Sequence, residues 1–295
     1  MSSGIIVLML KNKGATLRIH CWGGLGSQLQ ALSYYLLVQT KLPTRKIELV
    51  LHSSGITKRE SEIDFLKSQI NIRSVQDFVD NQNISFNNSL KYVFLKFFKK
   101  PIQFLLNLCK LVITDDNNAM RIMPWTTDIR CTYSKINLNS ELIKKLGLLI
   151  KFDPKQIRKD IIGVHYRAGD LLTLKRESLI PIKIILEQIE DLNINQSTPK
   201  KVVIYSDSDL ELVEFKSSSN LEFDFKKTDT LNTILDLASS NVFIGTNSKV
   251  SLWVAIIKYG FEIPSLILLP NAMLNSFYTL INPFDPNANF KVGAY

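Results

Sequence analysis

The sequence has few of the residues that bind metal ions or form disulfides. Its 295 residues include three cysteines and three histidines. The cysteines, Cys21, Cys109 and Cys131, are odd in number and widely spaced, and neither a CxxC nor an HExxH pattern occurs. A zinc site is therefore not expected. We expect free thiols, as in a reducing cytosol.

Long apolar segments are also missing. No apolar run approaches the roughly 18 residues that a membrane-spanning helix requires. The stretch Ile5–Leu10 is too short for a signal-peptide core and follows no basic residue, so it predicts a first strand. We therefore expect a cytoplasmic protein. Hydrophobic residues make up 45% and charged residues 21% of the chain, a mixture that favours a globular protein over disorder.

The net charge of +9 fits nucleic acid, an anionic membrane surface or a phosphate-bearing small molecule as a partner, although solvated lysine accounts for much of the excess. Because no basic stripe with interleaved aromatics and no nucleic-acid-binding module is present, we do not expect nucleic acid as the partner. Residues 91–113 combine lysines with phenylalanines and leucines, interrupted at Pro101. This segment fits either peripheral contact with the cytoplasmic face of a membrane or a buried pair of helices.

The first fifty residues predict a strand, a glycine turn, a helix and a second strand. Their bounds are Ala15–His20, Cys21–Gly26, Ser27–Thr40 and Ile47–His52. Glycines let the backbone approach a ligand and a helix start attracts an anion, but such a turn is often purely structural. The spacing GGxG, with no acidic residue closing the second strand, disfavours a dinucleotide fold.

The second half alternates predicted strands and helices, which indicates an α/β protein with a parallel sheet. Strands are predicted over Ile161–Tyr166, Val202–Ser206, Phe223–Phe225, Asn241–Ile244 and Leu266–Leu269, and helices over Pro181–Asp191, Thr230–Ser239 and Ser248–Tyr259. A polar stretch near 151–159 predicts a boundary between two halves, 1–155 and 156–295, with a cleft between them.

An apolar strand runs directly into the polar motif His-Tyr-Arg-Ala-Gly-Asp at positions 165–170. Ligands of open α/β sheets collect at such strand ends. The guanidinium of Arg167 can donate a bidentate pair of hydrogen bonds to two phosphate oxygens, and Asp170 can orient Arg167 or bind a ligand hydroxyl. The alternative is an Arg–Asp surface pair. His165 is either a ligand contact or a satisfied core histidine.

Two more strand ends carry polar residues. Asp207, which follows Ser206, is placed to accept hydrogen bonds from a nucleobase or ribose, whereas Asp209 is better explained as a helix cap. The next strand end leads into a helix start through Thr246, Asn247, Ser248 and Ser251. Helix capping explains two of these four residues. Four small polar residues so close to a helix start predict an anion-binding site made of backbone amides and hydroxyls. Together the motifs predict a diphosphate, held by an arginine and a helix start without a metal, and no Walker lysine motif is present.

These motifs resemble those of the alpha-1,2-fucosyltransferase family, glycosyltransferase family 11, and the wider group that includes protein O-fucosyltransferases. The family's GGLGNQ is similar to Gly23–Gln28, its HxRRGD to His165–Asp170, its Ser-Asp strand end to Ser206–Asp207, and its aspartate-led helix and NSSFSWW to the segment from Asp229 to Trp253. The order, the spacing and the total length agree over both halves of the chain.

The resemblance implies a GT-B fold, that is, two Rossmann-like lobes facing a cleft, with the acceptor on the first lobe and the nucleotide sugar on the second. It implies transfer of L-fucose from GDP-fucose to a glycan hydroxyl in an alpha-1,2 linkage, with inversion and without metal or cofactor. Bacterial surface polysaccharide, such as O-antigen or capsule, is the expected product. An acceptor carried on a lipid would suit membrane contact through residues 91–113.

The resemblance also implies residue roles. Arg167, Asp170 and Ser27 are the expected catalytic residues, and Asp170 and Glu177 are candidates for the base by their position in the sequence only. The expected donor-binding residues are Gly24, Gly26, Gln28, His165, Arg167, Ser206, Asp207, Thr246, Asn247, Ser248 and Ser251. The chain differs from the family where Ser27 replaces asparagine and Ala168 replaces a second arginine, and in Lys249, Val250 and Leu252. These differences leave open a different nucleotide sugar, or a protein that binds a nucleotide sugar without catalysis.

Overall fold

The computed structural model describes residues 17–53, 60–75, 137–169, 171, 178–194, 201–208, 222–281 and 290–295. The chain divides into two compact units, Met1–Ile136 and Asn137–Tyr295. The strands described in each unit form one parallel sheet. The prediction of an α/β protein with parallel sheets in two halves is therefore confirmed.

The first unit contains a strand–helix–strand arrangement with a third strand beside it. Its described elements are β1 (Leu17–Trp22), α1 (Leu25–Lys41), β2 (Ile47–His52), a 3-10 turn (Asp64–Leu66) and β3 (Ile72–Val75). The strands pair in the order β1-β2-β3, so their carboxyl ends share one edge. Helix α1 packs on β1 and β2 and buries Leu29, Leu32 and Leu36.

The turn between β1 and α1 is shorter than the sequence predicts. Strand β1 continues through Trp22, and α1 begins at Leu25 rather than at Ser27. Within this turn only Gly23 has a positive φ, of 107°, a conformation that glycine adopts without strain. Gly24 is already the N-cap, and its carbonyl accepts from the amides of Ser27 and Gln28. The predicted boundaries were wrong by two residues because one left-handed glycine is enough to reverse the chain.

The second unit holds a doubly wound sheet of six parallel strands. Its described elements are α2 (Ser140–Leu149), β4 (Arg158–Tyr166), α3 (Ile182–Ile194), β5 (Lys201–Ser206), β6 (Phe223–Lys226), α4 (Thr230–Ala238), β7 (Ser240–Gly245), α5 (Lys249–Gly260), β8 (Ser265–Leu269), α6 (Asn271–Leu280) and β9 (Phe290–Ala294). The strand order β6-β5-β4-β7-β8-β9 is that of a Rossmann-type sheet.

Helices cover both faces of this sheet. Because alternate residues of β4 point to opposite sides, the strand contacts helices on each face. Ile162, Val164 and Tyr166 pack in a buried cluster that includes the apolar side of α3. On the other face, a Cβ at Gly163 would lie 2.8 Å from a Leu237 methyl of α4. His165, which is on the same face, contacts α5. Burial on both faces explains why the strand reads as a continuous apolar run.

Helix α2 belongs to the second unit and packs against α5, although the sequence predicts a boundary at 155/156. A Cβ at Gly260 of α5 would lie 2.2 Å from Cγ2 of Ile143, so glycine is what allows this close approach. The rings of Phe152 and Phe261 pack edge to face, with their centroids 4.9 Å apart. Neither α2, α6, β3 nor β9 was predicted from the sequence.

Helix α5 is almost entirely buried, including a lysine. Lys258 has no exposed surface, and its ammonium donates to the Ser240 carbonyl at the amino end of β7. Burial, with a smaller contribution from the charge of Arg158, lowers the pKa of Lys258 to about 7.

Candidate functional site

The predicted polar motifs of the second unit meet at the carboxyl edge of its sheet. Strands β4 and β7 are neighbours in parallel register, with His165 beside Gly245. The chain winds from β4 outward through β5 and β6, then returns to β7 and continues to β8 and β9 on the other side. The direction of winding reverses between β4 and β7, and ligands of such sheets bind in the crevice at this point.

Thr246 joins the ends of these two strands. Its Oγ1 accepts from the Arg167 amide at 3.0 Å and donates to the His165 carbonyl at 3.0 Å. Its own amide donates to Ser251 Oγ at 3.0 Å. The hydroxyl therefore fixes the main chain of Arg167 beside the loop that leads into α5.

His165 lies beneath this network and is uncharged at neutral pH. Its Nδ1 is 2.9 Å from Ser251 Oγ in α5. Burial lowers the pKa of His165 to about 4, against an opposing effect of Asp207 and with a smaller contribution from Arg167. A neutral ring supplies no charge to an anion, so its observed contact is the one that positions Ser251. Direct contact with a donor stays a prediction.

Helix α5 presents its amino end next to Arg167. Ser248 is buried and caps the helix, because its Oγ accepts from the Val250 amide at 3.1 Å. The backbone amides of a first helical turn carry partial positive charge. The helix start and the half-buried Arg167 therefore supply two positive elements at the ends of adjacent strands.

Asn247 carries an unused acceptor at the same place. Its Nδ2 donates to the Ser178 carbonyl at 3.0 Å. Its Oδ1 is buried, and within the described part of the chain it has no hydrogen-bond partner. An unpaired buried amide oxygen costs about 1–3 kcal/mol, so a donor from a ligand or a water is expected there.

Asp207 links the end of β5 to the loop that follows β4. Its Oδ1 accepts from the amides of Ala168 and Gly169, each at 2.9 Å. A Cβ at Gly169 would lie 2.7 Å from Oδ2 of Asp207, which explains the glycine. Ser206 Oγ accepts from the Ser208 amide at 3.1 Å and closes the adjoining turn. The predicted nucleoside contact of Asp207 stays a prediction.

The predicted anion position at the glycine turn of the first unit holds a carboxylate of the chain itself. The Leu25 amide, at the start of α1, donates to Glu62 Oε1 at 2.8 Å. Gln28 is buried, and its Nε2 donates to the carbonyls of Gly23 at 3.1 Å and Glu60 at 2.9 Å. Its Oε1 accepts from the Glu62 amide at 2.9 Å. The Gln28 amide thus fastens the turn to residues 60–62.

The remaining predicted residues of this turn are Gly24, Gly26 and Ser27. Gly24 is the cap of α1, Gly26 is buried in its first turn, and Ser27 is half-buried in the same turn. Their predicted roles in donor binding and catalysis stay predictions.

Several predicted positions lie outside the described residues. These are Asp170, Glu177, Asp209, Cys109, Cys131, Ile5–Leu10 and residues 91–113. Within the described ranges, no group of three or more His, Cys, Asp or Glu residues is arranged to hold a metal ion. No helix in the described part is long and apolar enough to cross a membrane.

Two contacts of the sites were not predicted from the sequence. Glu62 is 34 positions from Gln28, and no local pattern marks it as the partner of the glycine turn. Tyr295 donates from its hydroxyl to the Gly245 carbonyl at 2.5 Å, which joins the residue after β9 to the end of β7.

No protein-family model matches the sequence, and a comparison with curated proteins finds no match. The structure resembles several solved glycosyltransferases at low identity. Heptosyltransferase WaaC from E. coli, solved with ADP, aligns over 95% of this chain and 93% of its own, at a TM-score of 0.48 and 12% identity. A family 9 glycosyl transferase from Veillonella parvula aligns over 96% of this chain and 86% of its own, at a TM-score of 0.47 and 10% identity. The fucosyltransferase NodZ from Bradyrhizobium aligns over 81% of this chain and 92% of its own, at a TM-score of 0.40 and 13% identity.

Proposed function

We propose that this protein is a glycosyltransferase that takes a sugar from a nucleotide diphosphate donor held at the ends of β4 and β7. One observation carries the proposal: Thr246 ties the main chain of Arg167 to the loop that begins α5. This places a guanidinium-bearing residue and a helix start at the reversal point of a doubly wound sheet, where a pyrophosphate is commonly bound.

The chemistry follows from these two positive elements. The oxygen of the acceptor hydroxyl attacks the anomeric carbon and gives its proton to a base, for which Asp170 and Glu177 are the candidates. At the same time the bond from that carbon to the diphosphate oxygen breaks, which inverts the configuration. The leaving diphosphate gains negative charge, and Arg167 with the amides of α5 stabilises that charge. We expect this to proceed without a metal ion.

The donor is GDP-fucose in our proposal, because the motifs resemble those of fucosyltransferases in order and spacing. The product would be an alpha-1,2 linkage on a surface glycan. The substitutions at Lys249, Val250 and Leu252 lie at the start of α5 and are the positions where a different nucleotide sugar would be selected.

A nucleotide titration of wild-type protein, Arg167→Ala and Lys201→Ala tests the proposal. Lys201 is exposed at the amino end of β5, away from the carboxyl edge. Lys201→Ala is therefore the control that removes one positive charge elsewhere. We expect GDP to raise the melting temperature more than ADP, UDP or CDP. Arg167→Ala should weaken GDP binding by about 100-fold, the loss of a charge-assisted pair of hydrogen bonds, and Lys201→Ala should not.

Equal weakening by both variants, or no response to any nucleotide, would contradict the proposal. Release of fucose from GDP-fucose by the wild-type protein, and its loss in Arg167→Ala, separates a transferase from a protein that only binds the donor.

A further inference from the structure

One peptide unit at the end of β7 is held by two side chains from different parts of the second unit. The carbonyl of Gly245 accepts a hydrogen bond from the Tyr295 hydroxyl at 2.5 Å. The amide of the same peptide unit, which belongs to Thr246, donates to Ser251 Oγ at 3.0 Å. Both polar groups of this peptide therefore have side-chain partners, and the two hydrogen bonds together fix the orientation of its plane.

Tyr295 reaches this peptide across the end of β8. It follows Ala294, which is paired with Leu269, and its amide donates to the Leu269 carbonyl at 3.2 Å. In the strand order, β8 lies between β9 and β7. The ring of Tyr295 packs against the buried apolar cluster on the α3 face of the sheet. The main chain and the ring are therefore both held in place, and the hydroxyl is directed at β7.

The Tyr295 hydroxyl keeps its proton at physiological pH. Burial, with a smaller contribution from Tyr166, raises the pKa of Tyr295 above the ordinary value. Gly245 is buried, so removing the hydroxyl would take a donor away from a carbonyl that water does not readily reach.

This peptide connects Tyr295 to the proposed donor site. Thr246 Oγ1 accepts from the Arg167 amide and donates to the His165 carbonyl, each at 3.0 Å. The hydroxyl can make both hydrogen bonds only while the backbone that carries it keeps its orientation. That orientation is held by Ser251 through the amide and by Tyr295 through the carbonyl.

We propose that Tyr295 is a positioning residue for the donor site. It fixes the peptide between Gly245 and Thr246, and through Thr246 it fixes the main chain of Arg167. The effect on donor binding rests on the function proposed above, whereas the effect on the main chain does not. Tyr295 lies outside every motif identified in the sequence, and its contact with β7 depends on the fold.

Amide hydrogen exchange followed by NMR on the full-length protein tests the positioning. Tyr295→Phe keeps the ring in the apolar cluster and removes only the hydroxyl. The control is Tyr278→Phe, which removes a phenol hydroxyl from an exposed position on α6. In Tyr295→Phe we expect the Thr246 and Arg167 amides to exchange about tenfold faster, as for the loss of one hydrogen bond to a buried group. Val203, in the middle of β5, should keep its wild-type rate in both variants.

Calorimetric titration with GDP measures the consequence for the donor site. Tyr295→Phe should weaken GDP binding by about fivefold, and Tyr278→Phe should leave it unchanged. In a Thr246→Val background, Tyr295→Phe should cause no further loss, because the hydroxyl through which it acts is already absent.

The proposal is overturned if the Thr246 and Arg167 amides keep their wild-type exchange rates in Tyr295→Phe. It is also overturned if Val203 accelerates together with them, because Tyr295 would then stabilise the sheet as a whole. Unchanged GDP binding in Tyr295→Phe, or additive losses in the double variant with Thr246→Val, would have the same meaning. A wild-type protein that binds no GDP would contradict the proposed function alone, and the exchange rates would still decide the role of Tyr295.

Discussion

His165 is a histidine whose charge is governed by burial rather than by a ligand. Its ring is enclosed between β4 and α5 and is in hydrogen-bond contact with Ser251. The sequence leaves two readings open, ligand contact or satisfied core residue, because alternation along a strand gives the face but not the partner. The partner is 86 positions away in the chain, and only the fold brings the two together.

The low pKa of His165 predicts acid sensitivity. The folded protein takes up the proton near pH 4 and the unfolded chain near pH 6.5, so stability is lost as the pH falls from about 6.5 to about 4. This group alone should remove on the order of 3 kcal/mol. Urea unfolding of wild type and His165→Gln at several pH values measures it: the difference between the two should shrink toward pH 4. Parallel pH profiles would contradict the assignment.

Elements meet at this site through single polar side chains at strand ends. Asp207 connects β5 to the loop after β4, and Thr246 connects β4 to the start of α5. The sequence predicted that these strand ends would lie on one edge, since an apolar run followed by small polar residues is typical of a buried parallel strand and its ligand edge. It did not predict which atoms would pair, because one rotamer decides whether Asp207 faces a ligand or a backbone amide.

Removing the Asp207 carboxylate should loosen the loop that carries Arg167. We expect Asp207→Ala to weaken GDP binding by about tenfold, since two accepted hydrogen bonds at about 1 kcal/mol each no longer position the loop. Asp207→Asn retains an acceptor oxygen and should recover most of the affinity. Asp224→Ala, which removes a carboxylate from β6, is the control. Calorimetric titration of the three variants measures the effect, and a loss that Asp207→Asn does not recover would show that charge rather than loop position matters.

Four elements were missed in the sequence. Strands β3 (Ile-Arg-Ser-Val) and β9 (Phe-Lys-Val-Gly-Ala) carry a charged residue or a glycine and lack the continuous apolar run of β4. Helix α2 buries Leu142, Ile143 and Leu146 and follows the N-cap Asn139, a local pattern that predicts a helix, whereas its packing against α5 is a contact distant in sequence.

At the scale of the whole molecule, the division into units is a matter of packing rather than of linker composition. The polar stretch around Pro154 looks like a linker, yet Phe152 just before it contacts Phe261, and Ile143 fills the space that Gly260 leaves. The boundary at 136/137 therefore keeps α2 with the six-stranded sheet.

Two fragments distinguish these boundaries. Residues 137–295 should fold with a melting temperature about 10 °C or more above that of residues 156–295, because the shorter fragment loses the buried side chains Leu142, Ile143, Leu146 and Phe152. Each of these is worth about 1.5–3 kcal/mol when buried. Calorimetry on both fragments gives the comparison, and equal melting temperatures would favour the boundary at 155/156.

Lys258 gives the second unit an internal reporter. An amine that is buried and holds its proton weakly is nucleophilic, yet amine-reactive labels cannot reach it while α5 is packed. Acylation of this one side chain therefore requires that the helix be released from the sheet. The rate at which mass spectrometry detects its modification then measures how often that unit opens.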